Sequence, residues 1–174
     1  MRDYATWYKR ATAGIRRREH GAEHLNTLNR ILTDGMYAAY PLLLAVLLAR
    51  GTAEGGAPAG LRAVFPFVLV PGISFVLLSL IRKKINRKRP YETYDLDPLI
   101  QKETKGNSMP SRHVFSSAVI SMCLFRVCPS IGILGFAATA LSALVRVLGG
   151  VHYPEDVAVG ALAGIAAGLL LWLF

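Results

Sequence analysis

The sequence predicts an all-α membrane protein, a polytopic bundle of about five transmembrane helices that follows an interfacial amphipathic helix. Apolar residues make up 53% of the chain and occur in blocks. Basic residues fill the gaps between these blocks, as in the loops that flank membrane spans. Because the chain has 174 residues, we expect a single domain over 1–174, divided into an N-terminal segment at 1–32 and a helix bundle at 33–174.

The N-terminal segment is polar, and its aromatic and aliphatic residues are spaced unevenly among cations. This composition predicts an amphipathic helix, or a helix pair, on an anionic leaflet with its aromatic rings at headgroup depth. A solvated basic tail is the alternative. The segment has no apolar core of the kind that a signal peptide requires, so the first true span is expected to direct insertion.

Five apolar segments follow, and each is predicted to span the membrane. Their approximate ranges are 35–49, extended back through Ile31, then 63–81, 110–127, 131–148 and 154–174. A flexible loop rich in glycine and alanine is expected at 51–60. In the last segment, Gly160, Gly164 and Gly168 form a stripe that allows close helix packing, for which a partner within the chain is favoured over a second copy.

With five spans, successive loops alternate between the two sides of the membrane. Seventeen of the twenty Lys and Arg residues then fall on one face, and Arg50, Arg62 and Arg126 fall on the other. The positive-inside rule predicts that the basic face is cytoplasmic. A formal charge of +9 suits nucleic acid, anionic lipid or an anionic substrate. The spans favour lipid or phosphate, so no nucleic-acid partner is expected.

Two groups of residues that could bind a phosphate or take part in catalysis lie on the basic face before the third span. In the cationic run 82–90, Arg89 precedes Pro90, and its planar guanidinium suits two oxygens of a phosphate. A topology anchor is the alternative for this run. Further on, Pro110 predicts a helix start, whose free N–H groups and Ser111 hydroxyl could bind a phosphate. His113 could pass a proton to a leaving oxygen, although a capped helix end with a headgroup-level histidine is the alternative.

A third group lies between the last two spans, where Arg146, His152 and Asp156 follow one another at intervals of six and four residues. Pro154 predicts a helix start, which places Asp156 about one turn into the helix. Its carboxylate could accept the N–H of His152 and leave the other ring nitrogen free to attack phosphorus. Arg146 could hold the phosphate. A local surface pair is the alternative for the histidine and the carboxylate.

In chain order, R-P, P-S-x-H and R-x5-H-x3-D resemble the signature of the type 2 phosphatidic acid phosphatase family, in the superfamily that includes vanadium haloperoxidases. The resemblance covers 82–156 and implies a double displacement that needs no metal or other cofactor. It implies that His152 forms a phosphohistidine, His113 protonates the leaving alcohol and Asp156 supports His152. The phosphate clamp implied by the resemblance consists of Arg82, Arg89, Ser111 and Arg146.

The chain departs from this signature at three positions. Arg82 stands where the family usually has lysine, and Lys83 or Lys84 could serve instead. Arg112 replaces the glycine of P-S-G-H and could add a contact to the phosphate or the headgroup. Val145 replaces a serine that often precedes the third arginine. Further contacts to a headgroup are expected from Lys83 and Lys105, in the latter case as part of a loop at 91–105 that could form a lid.

These residues predict a multi-pass lipid phosphatase of the bacterial cell membrane that acts on a terminal phosphate at the cytoplasmic face. Phosphatidylglycerophosphate and phosphatidate are the favoured substrates. The alternative is an undecaprenyl or other polyprenyl pyrophosphate phosphatase, in which a second phosphate would contact Arg112 and Lys105. A membrane protein that only binds anionic lipid is the non-enzymatic alternative, and a haloperoxidase is disfavoured because those relatives are soluble. A homo-oligomer stays open.

Overall fold

The computed structural model describes residues 2–174, with side chains from Tyr4 onward, so that Met1 of the predicted N-terminal segment lies outside the described residues. All regular structure in this range is helical, which confirms the all-α prediction. The elements are α1 (Arg2–Arg16), α2 (Gly21–Ile85), α3 (Pro90–Thr93), α4 (Arg112–Val127), α5 (Pro129–Leu148) and α6 (Pro154–Leu169), with a final 3₁₀ turn at Leu170–Leu173.

The long element α2 is a helical hairpin. Its helix is interrupted at Gly55 and at Gly56, where a φ of +75° is accessible because glycine has no Cβ. The two legs run antiparallel, and the Tyr40 hydroxyl on the first leg donates a hydrogen bond of 2.7 Å to the Phe67 carbonyl on the second. The hairpin therefore provides the first two spans of the bundle.

Two predicted boundaries in this region are wrong. The expected flexible loop at 51–60 is helical on both sides of a two-residue break. Its small residues serve packing, since a Cβ on Gly51 would lie 2.9 Å from the Cα of Gly60. The first leg also begins at Gly21, so residues 21–32 of the expected interfacial segment continue directly into the first span.

Three stretches of the described chain are long and apolar enough to cross a membrane, namely the stretch that contains the hairpin, α5, and α6 with its terminal turn. Helix α4 is shorter, with 16 residues, or about 24 Å at 1.5 Å per residue. Every residue from Val114 to Cys123 is buried, because α4 packs between α5, α6 and the hairpin. Within the described residues, the two legs of the hairpin, α5 and α6 thus surround α4 at the centre of the bundle.

The glycine stripe of α6 faces α4 within the chain. A Cβ on Gly160 would lie 2.7 Å from the Ser111 carbonyl oxygen, and one on Gly164 would lie 2.6 Å from the Phe115 carbonyl oxygen. The two backbones can approach this closely only because no side chain separates them. The stripe therefore sets the distance between the starts of α4 and α6.

Helix α1 packs on the loop that precedes α4, at one end of the bundle. Tyr8 is fully buried, and its hydroxyl accepts the N–H of Leu99 at 3.3 Å. Arg16 forms an ion pair of 2.8 Å with Asp97 in the same loop. Tyr8 therefore faces the protein and not the lipid headgroups, contrary to the prediction, whereas Trp7 is exposed.

The three basic residues assigned to the opposite face lie together at the other end of the bundle. Arg50, Arg62 and Arg126 line one cavity, which Phe174 also borders. The hairpin turn, the α4–α5 turn and the final residues thus share one end, and the long basic loop and α1 share the other. This separation follows the predicted alternation of loops.

Candidate active site

The three sequence groups meet at the end of the bundle that carries α1. Two backbone hydrogen bonds join them in pairs. Ser108 donates its N–H to the Arg87 carbonyl at 2.8 Å, and Ser111 donates its N–H to the Asp156 carbonyl at 2.9 Å. The loops before α3, α4 and α6 therefore form one connected unit.

Arg89 strengthens this unit from within, since its side chain is only 2% exposed. Its Nε donates to the Gly106 carbonyl at 3.1 Å and its Nη1 to the Val151 carbonyl at 3.0 Å. The Glu92 carboxylate accepts the backbone N–H groups of both Arg89 and Gly106, each at 2.8 Å. These two bonds use the Nε–H and one N–H of Nη1, so the second N–H of Nη1 and both N–H groups of Nη2 are the donors that could bind phosphate oxygens.

His152 and Asp156 lie side by side and are almost completely buried, with exposures of 1% and 0%. The His152 Nδ1 is 3.6 Å from the Asp156 Oδ2, which is longer than a hydrogen bond. The Ser108 hydroxyl donates to the same Oδ2 at 2.5 Å and lies 3.4 Å from Nδ1. The carboxylate thus faces Nδ1 as predicted, but a serine side chain takes part in the contact.

Asp156 has two further partners. The N–H of Tyr153 donates to Oδ2 at 3.0 Å, as in a capping box at the start of α6. Arg87 Nη1 donates to Oδ1 at 2.9 Å. Both carboxylate oxygens are therefore bound, and the predicted position of Asp156 in the first turn of a helix that begins at Pro154 is confirmed.

Two buried polar atoms near this pair have no hydrogen-bond partner within the described chain, the Ser111 Oγ and the Arg146 Nε. The structure describes two other atoms of this kind, on Tyr4 and Asn29. Ser111 is the N-cap residue of α4, but its hydroxyl does not cap the helix. A buried polar group without a partner costs about 1–3 kcal/mol. Both groups are those expected to bind phosphate, and they are available to do so.

A cavity of about 530 Å³ opens beside these residues. It has no Asp or Glu among the described residues that line it, and six of its lining residues are cations. These are Arg82, Lys83, Arg89, Lys102, Lys105 and Arg112. His113 also lines the cavity, whereas His152, Ser111 and Arg146 are buried and do not. An anion that enters the cavity therefore meets the first two sequence groups before the third.

The electrostatics of the site lower the pKa values of two loop residues, His152 and Lys102, into or below the neutral range. Burial lowers the pKa of His152 to about 4, and the cations of Arg89 and Arg146 add to this effect, although the contact with Asp156 opposes it. Burial also lowers the pKa of Lys102 to about 8, with a further contribution from nearby arginines. His152 is therefore neutral at neutral pH, as an attacking nitrogen must be.

The remaining predicted residues lie around the cavity. His113 is in the first turn of α4, half-buried, and its ring stacks near Tyr37 at a centroid distance of 6.4 Å. Arg112 is exposed and lies 5.7 Å from the centre of the Phe75 ring. Helix α4 begins at Arg112, so the predicted start at Pro110 is two residues too early. Exposed Lys83 and Lys105 border the cavity, as the headgroup contacts were expected to do.

Three residues of this region were not predicted. Ser108 belongs to the stretch N-S-M-P-S-R-H, in which only Ser111 and His113 were given a role. Arg87 belongs to the cationic run and looks like a topology anchor by composition. Lys102 lies in a loop of mixed charge. Of these three residues, only Ser108 could have been found from the sequence, because it lies two residues before the P-S-x-H motif.

The sequence was compared with models of known protein families, and the result agrees with this helical bundle and its arrangement of histidines, carboxylate and cations. The model of the PAP2 superfamily matches residues 63–174, which is more than half of the sequence. The chain therefore belongs to the PAP2 superfamily and is a membrane protein.

Two solved structures share its fold. A PAP2-type phosphatidylglycerolphosphate phosphatase from Bacillus subtilis has a TM-score of 0.56 and 21% identity, and the match covers 98% of this chain and 93% of that one. LpxE of Aquifex aeolicus has a TM-score of 0.59 and 24% identity, with 87% and 94% of the chains covered. At these identities the likeness concerns the fold alone.

A characterised relative is the bacitracin transport permease protein BcrC of Bacillus licheniformis, which is 30% identical over 110 residues. The match covers 60% of this chain and 54% of that protein. The chain thus matches about half the length of this relative, and its own substrate has to be argued from the site.

Proposed function

We propose that the protein is an integral membrane lipid phosphatase that removes a terminal phosphate through a phosphohistidine on His152. The observation that carries this proposal is the pair of buried, unpartnered donors on Ser111 and Arg146. Ser111 belongs to the same loop unit as the neutral His152, and its N–H binds the carbonyl of the fully paired Asp156. Arg146 lies in the last turn of α5, and its carbonyl accepts the N–H of Val151, the residue before His152. A phosphate group would satisfy both donors and would bring its phosphorus to the histidine.

In the first step, the lone pair of His152 Nε2 attacks phosphorus, and the bond from phosphorus to the lipid oxygen breaks. His113 donates a proton to that oxygen, which leaves as an alcohol. The proton on Nδ1 stays with the ring, and Asp156 stabilises the resulting cation. This step uses the orientation that the 3.6 Å contact between Nδ1 and Oδ2 gives to the ring.

In the second step, water attacks the phosphohistidine, and the nitrogen–phosphorus bond breaks. His113, now neutral, accepts a proton from the water, which restores both histidines and releases inorganic phosphate. In both steps the equatorial phosphate oxygens carry negative charge. Arg82, Arg89 and Arg146 with the Ser111 hydroxyl are proposed to stabilise that charge, and no metal ion is needed for this task.

An apolar groove beside the site supports a lipid as the substrate. It has a volume of about 240 Å³ and lies between the hairpin and α4. Tyr37 lines the groove and also stacks near His113, which links the groove to the cationic cavity. The apolar part of a lipid could remain in the groove and the bilayer while its phosphate enters the cavity. Phosphatidylglycerophosphate and phosphatidate suit this arrangement on a cytoplasmic face, where such lipids are made.

A polyprenyl pyrophosphate is the second candidate, and the composition of the cavity favours it. Six cations line a cavity that has no carboxylate among its described lining residues. A single phosphate monoester carries a charge of about −1.5 to −2 at neutral pH, which leaves much of this positive charge unbalanced. A second phosphate would bring further negative charge to Arg112, Lys102 and Lys105.

The decisive experiment is phosphate release by the purified protein in detergent with EDTA, from phosphatidate, phosphatidylglycerophosphate and undecaprenyl pyrophosphate. We expect release from at least one lipid and its loss in His152→Ala. His24→Ala is the matched control, because His24 is exposed near the start of α2. Activity that survives in His152→Ala would exclude the mechanism, and loss of activity in EDTA would exclude metal independence. The preferred lipid would decide between the two substrate classes.

A further inference from the structure

Arg87 differs from the other arginines of the cationic run. Arg82 and Arg89 line the cavity, whereas Arg87 does not. Its half-buried side chain instead reaches from the end of α2 to the first turn of α6, across 69 residues of sequence. Its charged and aromatic partners are therefore protein groups of the third sequence group, and Nη1 also lies 3.6 Å from the Met109 sulfur in the second. This position does not suit contact with a substrate in the cavity.

The guanidinium of Arg87 is held on three sides. Nη1 donates to the Asp156 Oδ1 at 2.9 Å, and Nη2 lies 2.9 Å from a carboxylate oxygen of Glu155. The guanidinium carbon lies 4.2 Å from the centre of the Tyr153 ring, within the range of a cation–π contact. Two carboxylates and an aromatic ring thus fix the plane of one planar cation.

The two oxygens of the Asp156 carboxylate have different partners. Oδ1 is bound by Arg87, and Oδ2 receives the Ser108 hydroxyl and the Tyr153 N–H on the side that faces His152. The carboxylate is completely buried, so Oδ1 would have no solvent to replace a lost partner. Without Arg87, the carboxylate would gain by turning toward other donors, and Oδ2 would no longer be fixed opposite Nδ1.

We propose that Arg87 is a positioning residue that acts through Asp156. By anchoring Oδ1, it keeps Oδ2 directed at His152 Nδ1 during attack on phosphorus. This inference rests on the proposed function, because it assigns Arg87 to the support of the attacking histidine.

The first test is Arg87→Gln, assayed for phosphate release from the preferred lipid. We expect kcat to fall by about tenfold to a hundredfold, since a charge-assisted hydrogen bond is lost. KM should change by less than about threefold, because Arg87 does not line the cavity. Arg87→Lys should recover part of kcat, since an ammonium can still reach Oδ1 but cannot bind both carboxylates. Lys88→Gln is the matched control, because Lys88 is an exposed neighbouring cation, and it should keep the wild-type kcat.

The second test is a double-mutant cycle with Asp156→Asn. If Arg87 acts through Asp156, Arg87→Gln should lower kcat by less than about twofold in the Asp156→Asn background. Equal fold losses in both backgrounds would overturn the proposal, and so would a change confined to KM. A merely structural role would lower activity and melting temperature alike in both backgrounds.

If Arg87→Gln does not fold, Arg87→Lys and Glu155→Gln complete the test. The cycle is then run with Arg87→Lys, and Glu155→Gln should keep kcat within about threefold, because the bond from Arg87 to Oδ1 remains. His152→Ala is assayed in parallel. Activity that survives in His152→Ala overturns both proposals, whereas its loss together with independent effects of Arg87 and Asp156 overturns only the role of Arg87.

Discussion

Asp156 shows which parts of this site a sequence can reveal. The spacing of four residues and the helix start at Pro154 predicted that its carboxylate faces His152, and the structure places the two groups together. Ser108 and Arg87 bind the same carboxylate from 48 and 69 residues away. Such partners depend on how three loops pack, so local spacing could not predict them. A fully buried carboxylate is tolerated only because these partners satisfy it.

Replacement of Ser108 by alanine should lower kcat by about tenfold, because Asp156 loses one donor and the His152 ring loses a neighbouring hydroxyl. The measurement is kcat for phosphate release, with melting temperature as a check on folding. Ser130→Ala, at the opposite end of the bundle and exposed, should leave kcat unchanged. An unchanged kcat in Ser108→Ala would mean that the hydroxyl does not support the pair.

Lys102 should give the enzyme an alkaline limit. Its pKa is lowered to about 8, so that the free enzyme loses one cavity cation as the pH rises through that value. We expect kcat/KM to fall above about pH 8, whereas kcat should not fall, because bound anionic substrate favours the charged amine. Lys102→Arg should abolish this fall up to about pH 10, since arginine stays charged. Identical profiles for the wild type and Lys102→Arg would exclude Lys102 as the titrating group.

At the scale of elements, apolar blocks were enough to predict five helices, and Pro154 marked the start of α6. The start of α5 was predicted at Ile131, two residues after its first residue, Pro129. Composition could not predict the hairpin in α2. Glycine and alanine are typical of flexible loops, but here Gly51 and Gly60 allow two helices to touch. Nor could it predict that α4 begins after Pro110, which leaves Ser111 at the N-cap with an unbound hydroxyl.

Gly160 and Gly168 both lie in the contact between α6 and α4, one beside the site and one away from it, so alanine substitutions at the two positions can be compared. A Cβ on Gly160 would press on the Ser111 carbonyl at 2.7 Å, whereas one on Gly168 would press on Met122, away from the site. Gly160→Ala should therefore lower activity per folded molecule by about tenfold or more, because a shift of about 1 Å at a site can cost a hundredfold. Gly168→Ala should lower the melting temperature but keep activity per folded molecule.

The control for this pair is Gly35→Ala, since a Cβ on Gly35 meets nothing within 4 Å. Its melting temperature should stay the same or rise, because alanine favours a helix more than glycine does. The measurements are kcat corrected for the folded fraction and thermal unfolding in detergent. Equal losses of activity per folded molecule in Gly160→Ala and Gly168→Ala would show that the position of Ser111 relative to α6 does not control catalysis.

At the scale of the whole molecule, the cations lie at the two ends of the bundle, and most of them lie at the end that carries the site. The site end carries the cationic cavity, and the other end carries Arg50, Arg62 and Arg126 around a separate cavity. The cations at the site end therefore have two consequences. They attract an anionic headgroup to the mouth of the site, and they bias the orientation of the bundle during insertion. The separation of the two ends followed from counting spans, but the side of the membrane on which each end lies depends on the positive-inside rule alone.

That rule predicts a cytoplasmic site, and single-cysteine labelling can test it in intact cells. In a background without Cys123 and Cys128, Glu103→Cys and Ser130→Cys place exposed thiols at the site end and at the opposite end. A membrane-impermeant maleimide should label Ser130→Cys in intact cells and Glu103→Cys only after permeabilisation. The reverse pattern would put the site outside, where lipids made on the cytoplasmic side are less accessible. Polyprenyl pyrophosphate would then become the better candidate substrate, in agreement with the cation-rich cavity.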